Sequence, residues 1–388
     1  VPESKRLIDL VQSRIDEFLM SRETIVTLIS SDLTPLTDFS RQFLSGGKRF
    51  RAQFCYWGAQ SVRAADTGPD AGQSGAKTPA AAAGRRGAAS TAPVPLEAVV
   101  SAASALEIFH AAALVHDDII DNSDTRRGAP SAHKLFESLH KNAGWSGGPV
   151  TFGRASAILL GDLLLGWSDE LLDEGLDAVA DRPSARRARL EFNHMRTEVT
   201  AGQYLDILEE RAWLAQPESQ LLDRALRVIV YKSAKYSVQA PLVIGAALAG
   251  ASADQLSSLR AFGLPLGMAY QLRDDLLGVF GDAAVTGKPS GDDLTEGKRT
   301  VLIALARERL NDRDRQALDA QLGDPTLDQA QIRALQELIT ASGAVERVET
   351  LIAAQVAEAL NSLETAPITA TARQTLLDLT DRVTRRAY

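Results

Sequence analysis

The feature that most restricts this chain is its hydrophobic period. Apolar residues return every three or four positions through most of the sequence, as in Leu7, Leu10, Val11, Ile15, Phe18 and Leu19, which share one face of a helix. No run alternates with the period of two that a half-buried strand requires. The spacing predicts helices over 3–30, 46–65, 95–121, 151–178, 184–210, 218–249, 253–281, 299–309, 327–362 and 368–386, and so an all-α chain. At 388 residues, 45% apolar and 24% charged, it has the material for a substantial core. One large helical domain over 1–388 accommodates this length if it carries an insertion. The insertion is expected at 64–95, where Ala, Gly, Ser, Pro and Thr prevail and no large aliphatic residue appears before Val94. Such a segment buries too little to offset its ordering entropy, so disorder is expected there.

The net charge of −8 argues against a general nucleic-acid surface or an anionic-membrane surface, while local basic clusters can still bind small anions. The single cysteine, Cys55, permits neither an intrachain disulfide nor a Cys-rich metal site, which suits a reducing compartment. Val1–Met20 lacks the apolar core of a signal peptide, and no uncharged apolar run reaches about 18 residues. A cytoplasmic protein without a stable membrane anchor is expected.

Chemistry concentrates in two acidic motifs. His116-Asp117-Asp118-Ile119-Ile120-Asp121 ends an Ala-rich apolar helix. Asp117 and Asp121, four residues apart, share a helix face and can converge on a hard cation with Asp118 beside them. Carboxylate oxygens that leave room for water and phosphate are the ligands Mg²⁺ prefers. Acids at a helix C-terminus oppose the macrodipole and need a compensating cation, which weighs against a merely solvated helix end. The second pair, Asp274 and Asp275, lies late in another apolar helix, after Gln271.

Basic residues stand where an anion bridging such metals would need them. Gly46-Gly47-Lys48-Arg49-Phe50-Arg51 is expected to open a helix, so that backbone N–H groups and the side chains of Lys48 and Arg51 meet one anion. Arg126 and Arg127 follow the first acidic motif, and Lys232, Lys288 and Lys298 flank the second.

These blocks together resemble the trans-isoprenyl diphosphate synthases, the farnesyl and geranylgeranyl diphosphate synthase family. The resemblance covers about residues 40–300. It rests on Gly-Gly-Lys-Arg-Phe-Arg, Glu107-x-x-His110 through Arg126-Arg127-Gly128, Gly202-Gln203 with Asp206, Lys232-Ser233, and Gln271 through Lys298. It implies a helical bundle around a central cavity, a homodimer, and head-to-tail condensation of isopentenyl diphosphate with allylic diphosphates of C5, C10 and C15. By the same resemblance, Asp117 and Asp121 bind two Mg²⁺ ions and Asp274 a third. Arg126, Lys232, Gln271, Lys288 and Lys298 then grip the allylic diphosphate, and Lys48, Arg51, His110 and Arg127 hold isopentenyl diphosphate. Ser233 and Gln271 steady the allylic cation by their dipoles, and Asp118 and Asp275 complete the acidic pairs. Gly278 stands where many relatives carry a third aspartate, which removes any ligand role at that position.

Product length is expected to follow from the helix before Asp117. The residues four, five and eight positions earlier are Ala113, Ala112 and Phe109. Relatives that stop at C15 often carry an aromatic residue at the fourth or fifth position, so two alanines leave the tunnel open. Phe109 lies three or four residues deeper, roughly 4.5–6 Å of helix rise, or about one isoprene unit, and is expected to cap a C20 chain. Farnesyl and longer-chain synthases remain alternatives. A class I terpene cyclase shares the acidic helices but needs no second diphosphate site, and a silent partner subunit would be expected to have lost the acidic motifs.

Overall fold

A computed structural model describes residues 3–62, 93–126, 128–282 and 290–384. The chain runs through α1 (Glu3–Ile29), α2 (Thr34–Leu44), α3 (Phe50–Gln60) and α4 (Leu96–Ile120) to a two-residue antiparallel pair, β1 (Thr125–Arg126) with β2 (Ala129–Pro130). It continues through α5 (Ala132–Ala143), α6 (Pro149–Asp177), α7 (Arg182–Ala212), α8 (Leu221–Val228), a π-helical stretch Ile229–Gln239, α9 (Ala240–Leu248) and α10 (Ala253–Phe280). The last part is α11 (Asp292–Glu296), α12 (Val301–Arg309), α13 (Asp312–Gln321), α14 (Gln329–Ala341), α15 (Ala344–Glu364) and α16 (Ala370–Thr384). The all-α expectation holds.

Helix α4 organises the fold. Its alanines favour the helix, and its apolar residues lie on all sides, the pattern of a helix enclosed by others. Helices α1, α3, α6 and α9 pack around it. Helices α4 and α6 are both long and apolar enough by composition to cross a membrane, but most of the α4 apolar stretch lies inside the protein. One core centres on α4 and includes Val11, Phe54, Leu106, Phe192 and Leu242. A second gathers Trp213, Leu276, Leu302, Ile339 and Val348. Helix α10 joins them: Leu259 and Phe262 sit in the first, Leu272 and Val279 in the second.

Several elements depart from the expected boundaries. The helix expected over 46–65 begins only at Phe50, because Gly46 (φ 67°), Gly47 (φ 88°) and Arg49 (φ 50°) form a left-handed turn ahead of it. The helix expected over 327–362 is two helices, broken where Gly343 takes φ 75° and ends the preceding helix as a C-terminal glycine does. Helices α2, α5, α11 and α13 were not expected. In α2 the signal was present: Pro35 at the first turn, then Leu36, Phe39 and Phe43 at helical spacing. The expected insertion at 64–95 lies outside the described residues except for 93–95, the last of which caps α4.

Candidate active site

The first acidic motif is held by the C-terminal end of α4. The chain leaves this helix through Asn122 in the left-handed region, and the β1–β2 hairpin folds back so that Arg126 meets the motif. Asp118 is fully buried and accepts from Arg126 Nε at 2.8 Å and again from Nη2, so it orients the guanidinium. Asp117 accepts from Gln203 Nε2 at 3.0 Å, and its carboxylate lies 3.4 Å from Lys232 Nζ and 3.5 Å from Arg126 Nη2. Burial pushes the Asp117 carboxyl up, but Lys232, Lys298 and Arg126 outweigh it and hold the group well below the usual carboxylate range. Asp121, 3.3 Å from Lys298 Nζ, is pushed upward, first by burial. The cations compensate the acids that the helix dipole disfavours.

Lys232 belongs to this motif rather than to the second one that it was expected to flank. Its ammonium pairs with Asp206 as well as Asp117. Burial disfavours the charged form, yet Asp117 and Asp206 raise its pKa, so Lys232 stays an ammonium. The close approach depends on Gly202 of α7, where any side chain would run into the backbone of Tyr231 and Lys232. Lys232 and the half-buried Ser233 sit in the π-helical stretch, an uncommon geometry that often marks functional positions.

The second motif lies late in α10. Asp274 is exposed, while Asp275 is buried and accepts from Gln271 Nε2 at 2.8 Å. Burial pushes the Asp275 carboxyl up to about 8 against that hydrogen bond. Gly278 shares a helix face with Asp274, and a Cβ at Gly278 would run into the carboxylate of Asp293 from α11. Asp293 therefore fills the volume where a side chain at 278 would lie. Lys298 links the first motif to the α11 acids beside the second, 3.3 Å from Asp121, 2.6 Å from Glu296 and 3.8 Å from Asp293. Glu296 also accepts from Ser123 Oγ at 2.6 Å.

The basic turn makes a separate cluster. Lys48 is exposed and lies ahead of α3, with its carbonyl accepting from Gln53 Nε2 at 2.6 Å. Arg51 donates to Ser237 Oγ at 2.8 Å and places its guanidinium 4.4 Å from the centre of the Tyr236 ring. His110 Nδ1 and Tyr236 Oη are hydrogen-bonded at 2.9 Å. The π-helical stretch thus meets the first acidic motif through Lys232 and the basic cluster through Tyr236 and Ser237.

Along α4, whose residues 98–109 are all buried, the half-buried His110, Ala113, Leu114 and Asp117 share one face. Phe109 lies two turns before Asp117, buried edge-on against Phe192 (6.0 Å) and Tyr236 (5.7 Å). Ala113 keeps some exposure, whereas Ala112 has none. Arg127 and Lys288 lie outside the described residues.

Among the described residues no three His, Cys, Asp or Glu side chains converge as a ready-made metal site. Lysine ammonium groups occupy the space between the carboxylates instead. The donors nonetheless fit Mg²⁺: they are carboxylate oxygens, and the buried Asp121 Oδ2 already faces a cation, the Lys298 ammonium at 3.3 Å, without a geometric hydrogen bond. Sequence reasoning did not assign roles to Gln203, Asp206, Asp293 and Glu296. Gln203 and Asp206, three residues apart on α7, serve the first motif, Gln203 by donating to Asp117 and Asp206 by pairing with Lys232. Asp293 and Glu296 carry no periodic signal, because α11 is a single short turn.

Residues 34–339 match the polyprenyl synthetase family. A geranylgeranyl diphosphate synthase of Methanosarcina mazei is 30% identical over 273 residues, covering 69% of this chain and 74% of the relative. A geranylfarnesyl diphosphate synthase of Natronomonas pharaonis is 30% identical over 291 residues, covering 75% and 76%. A solved geranylgeranyl pyrophosphate synthase of Corynebacterium glutamicum, complexed with isoprenyl diphosphate and magnesium, aligns at 36% identity with a TM-score of 0.86, covering 98% of this chain and 99% of that one. With its acidic motifs, its basic turn and a family match spanning most of its length, the chain belongs to the polyprenyl synthetase family.

Proposed function

We propose that the protein condenses isopentenyl diphosphate head-to-tail with allylic diphosphates, with magnesium, and stops at geranylgeranyl diphosphate (C20). The observation that carries the reading is the position of Lys298, whose ammonium lies between Asp121 of the first motif and Asp293 beside the second. A cation there can exchange carboxylate partners for diphosphate oxygens.

Magnesium, when bound, neutralises the charge that builds on the departing diphosphate; Asp117 and Asp121 would hold two ions and Asp274 a third. Arg126, Lys232, Gln271, Lys288 and Lys298 bind the allylic diphosphate. Lys48, Arg51, His110 and Arg127 bind isopentenyl diphosphate. The allylic C–O bond breaks with its electron pair on oxygen, and fixed dipoles such as those of Ser233 and Gln271 favour the allylic cation. The isopentenyl double bond supplies the electrons of the new C–C bond, and the proton it sheds goes to the released diphosphate. Phe109, braced by Phe192 and Tyr236, is the proposed floor at C20. The named relatives include a C25 synthase, so similarity alone does not choose the length.

The chain is read as one domain over 1–388, acting in the cytoplasm as a homodimer. Exposed Ile158 and Leu159 on α6 and Leu190 and Tyr204 on α7 support an interface. The test is diphosphate release from an allylic substrate. Release that requires isopentenyl diphosphate supports this reading. Hydrocarbon from the allylic substrate alone indicates a cyclase instead, and stimulation of another synthase by an inert chain indicates a partner subunit.

A further inference from the structure

Arg49 is the least comfortable residue of the basic turn. It is a bulky side chain in the left-handed region, where strain persists only if surrounding contacts impose it. It is also buried, with its charged group turned inward while Lys48 is exposed. The guanidinium reaches three other helices: Nη1 donates to Glu107 Oε2 of α4 at 3.2 Å, Nη2 to Gln12 Oε1 of α1 at 2.7 Å, and Nη2 also to the Leu44 carbonyl ending α2. Glu107 is equally buried, and its second oxygen accepts the Ala52 N–H at 3.1 Å.

That last bond matters because α3 has no side-chain cap of its own; its N-cap residue is Arg49. The first N–H groups of a helix need acceptors, and here one comes from a carboxylate on another helix. Glu107 thus fixes both ends of the corner. One oxygen holds the residue before α3, and the other holds the third residue inside it. His110 stands one turn further along α4, so the same helix that fixes this corner also carries a member of the basic cluster.

We propose that the buried Arg49–Glu107 pair is a positioning device for the isopentenyl diphosphate site, setting the Gly46–Arg49 turn so that Lys48, Arg51 and His110 meet one diphosphate. It touches no substrate and acts through the turn. The proposal rests on the prenyl-transfer reading and adds to it an anchor specific to one of the two diphosphates. A buried ion pair of this kind is poor evidence of stability by itself, since an apolar pair of similar volume often serves as well. Its role is therefore to be sought in geometry.

The experiment measures isopentenyl diphosphate binding calorimetrically without metal, together with steady-state constants for both substrates. Glu107→Gln keeps an acceptor for Ala52 N–H but loses the charge opposite Arg49. Arg49→Met/Glu107→Leu replaces the pair with apolar volume and guards against a folding defect. The expected result is a tenfold or greater rise in Kd and KM for isopentenyl diphosphate in both variants. KM for the allylic substrate should move less than twofold, and the double variant should melt within a few degrees of the unmodified protein. Unchanged isopentenyl diphosphate affinity in either folded variant, or equal weakening of both substrates, overturns the positioning role alone. Failure of the unmodified protein to bind isopentenyl diphosphate overturns the prenyl-transfer reading and the positioning role with it.

Discussion

Asp293 occupies the volume that a side chain at Gly278 would fill, so the carboxylate facing this part of α10 comes from α11 rather than from α10 itself. The sequence of the second motif lacks a third aspartate, yet an acidic group stands at that place. Gly278→Asp, which would complete the motif on paper, should lower kcat/KM at least tenfold by displacing the Asp293 carboxylate and setting two acids against each other. Asp293→Asn should cost on the order of 10-fold to 100-fold in kcat, as loss of a group supporting a metal site does. Steady-state rates of the two variants check both statements.

Phe109 makes two edge-to-face contacts, one of them to Tyr236, which also bonds His110. Phe109→Ala should move the main product from C20 to C25 or longer. It should also lower Tm, since removing a buried aromatic costs about 3–5 kcal/mol. Chromatographic sizing of the products from a C15 starter decides it. An unchanged product length places the floor elsewhere.

Asp118 accepts two hydrogen bonds from Arg126 and is itself fully buried. Asp118→Asn keeps the acceptor but removes its charge. We expect a several-fold to 100-fold loss in kcat/KM for the allylic substrate, a rise in its KM, and little change in KM for isopentenyl diphosphate. A double cycle with Arg126→Gln should be strongly non-additive, because the two groups act as one. Substrate-resolved kinetics supply the readout.

Lys232 and Lys298 pair with the site carboxylates in this structure. Removing magnesium with EDTA should therefore abolish turnover without unfolding the protein. Tm should shift by less than about 2 °C with EDTA and rise when magnesium and diphosphate are added together, through preferential binding to the folded state. Thermal melts with each combination test this.

Glu210 is pushed up to about 7, first by burial and then by repulsion from Asp206 and Asp121. Its folded value lies above the free value of 4.5, so its favourable contribution is complete below about pH 4.5 and is lost as pH rises through 7. Glu210→Gln should be more stable than the unmodified protein at pH 8, by about 1–2 kcal/mol once partial exposure and screening are allowed for. The difference should vanish near pH 4.5. Melting curves of both proteins across this range show whether it does.

The helical period was enough to specify the class of fold, because burying one face every 3.6 residues leaves few alternatives. Asp117 and Asp121 were legible because the four-residue spacing fixes a shared face before any tertiary structure is known. Lys232 was harder. Its partner lies 115 residues earlier, and nothing local says whether it turns to α4 or α10. The left-handed turn at Arg49 was hidden too, since the glycines beside it suggest a loop but not which way a following arginine points. Asp293 was invisible for a related reason: a short turn has no period, and only the packed structure shows it lying against Gly278.

Chain elongation to C20 by magnesium-dependent prenyl transfer can be read directly from the products. The most direct measurement is incubation of the protein with magnesium, labelled isopentenyl diphosphate and, separately, C5, C10 and C15 allylic diphosphates, followed by sizing of the labelled products. Label should appear in geranylgeranyl diphosphate as the longest main product from at least one starter, and in no product when magnesium is withheld. No labelled polyprenyl product from any starter would contradict prenyl transfer. A main product of C15 or of C25 and above would contradict the C20 endpoint.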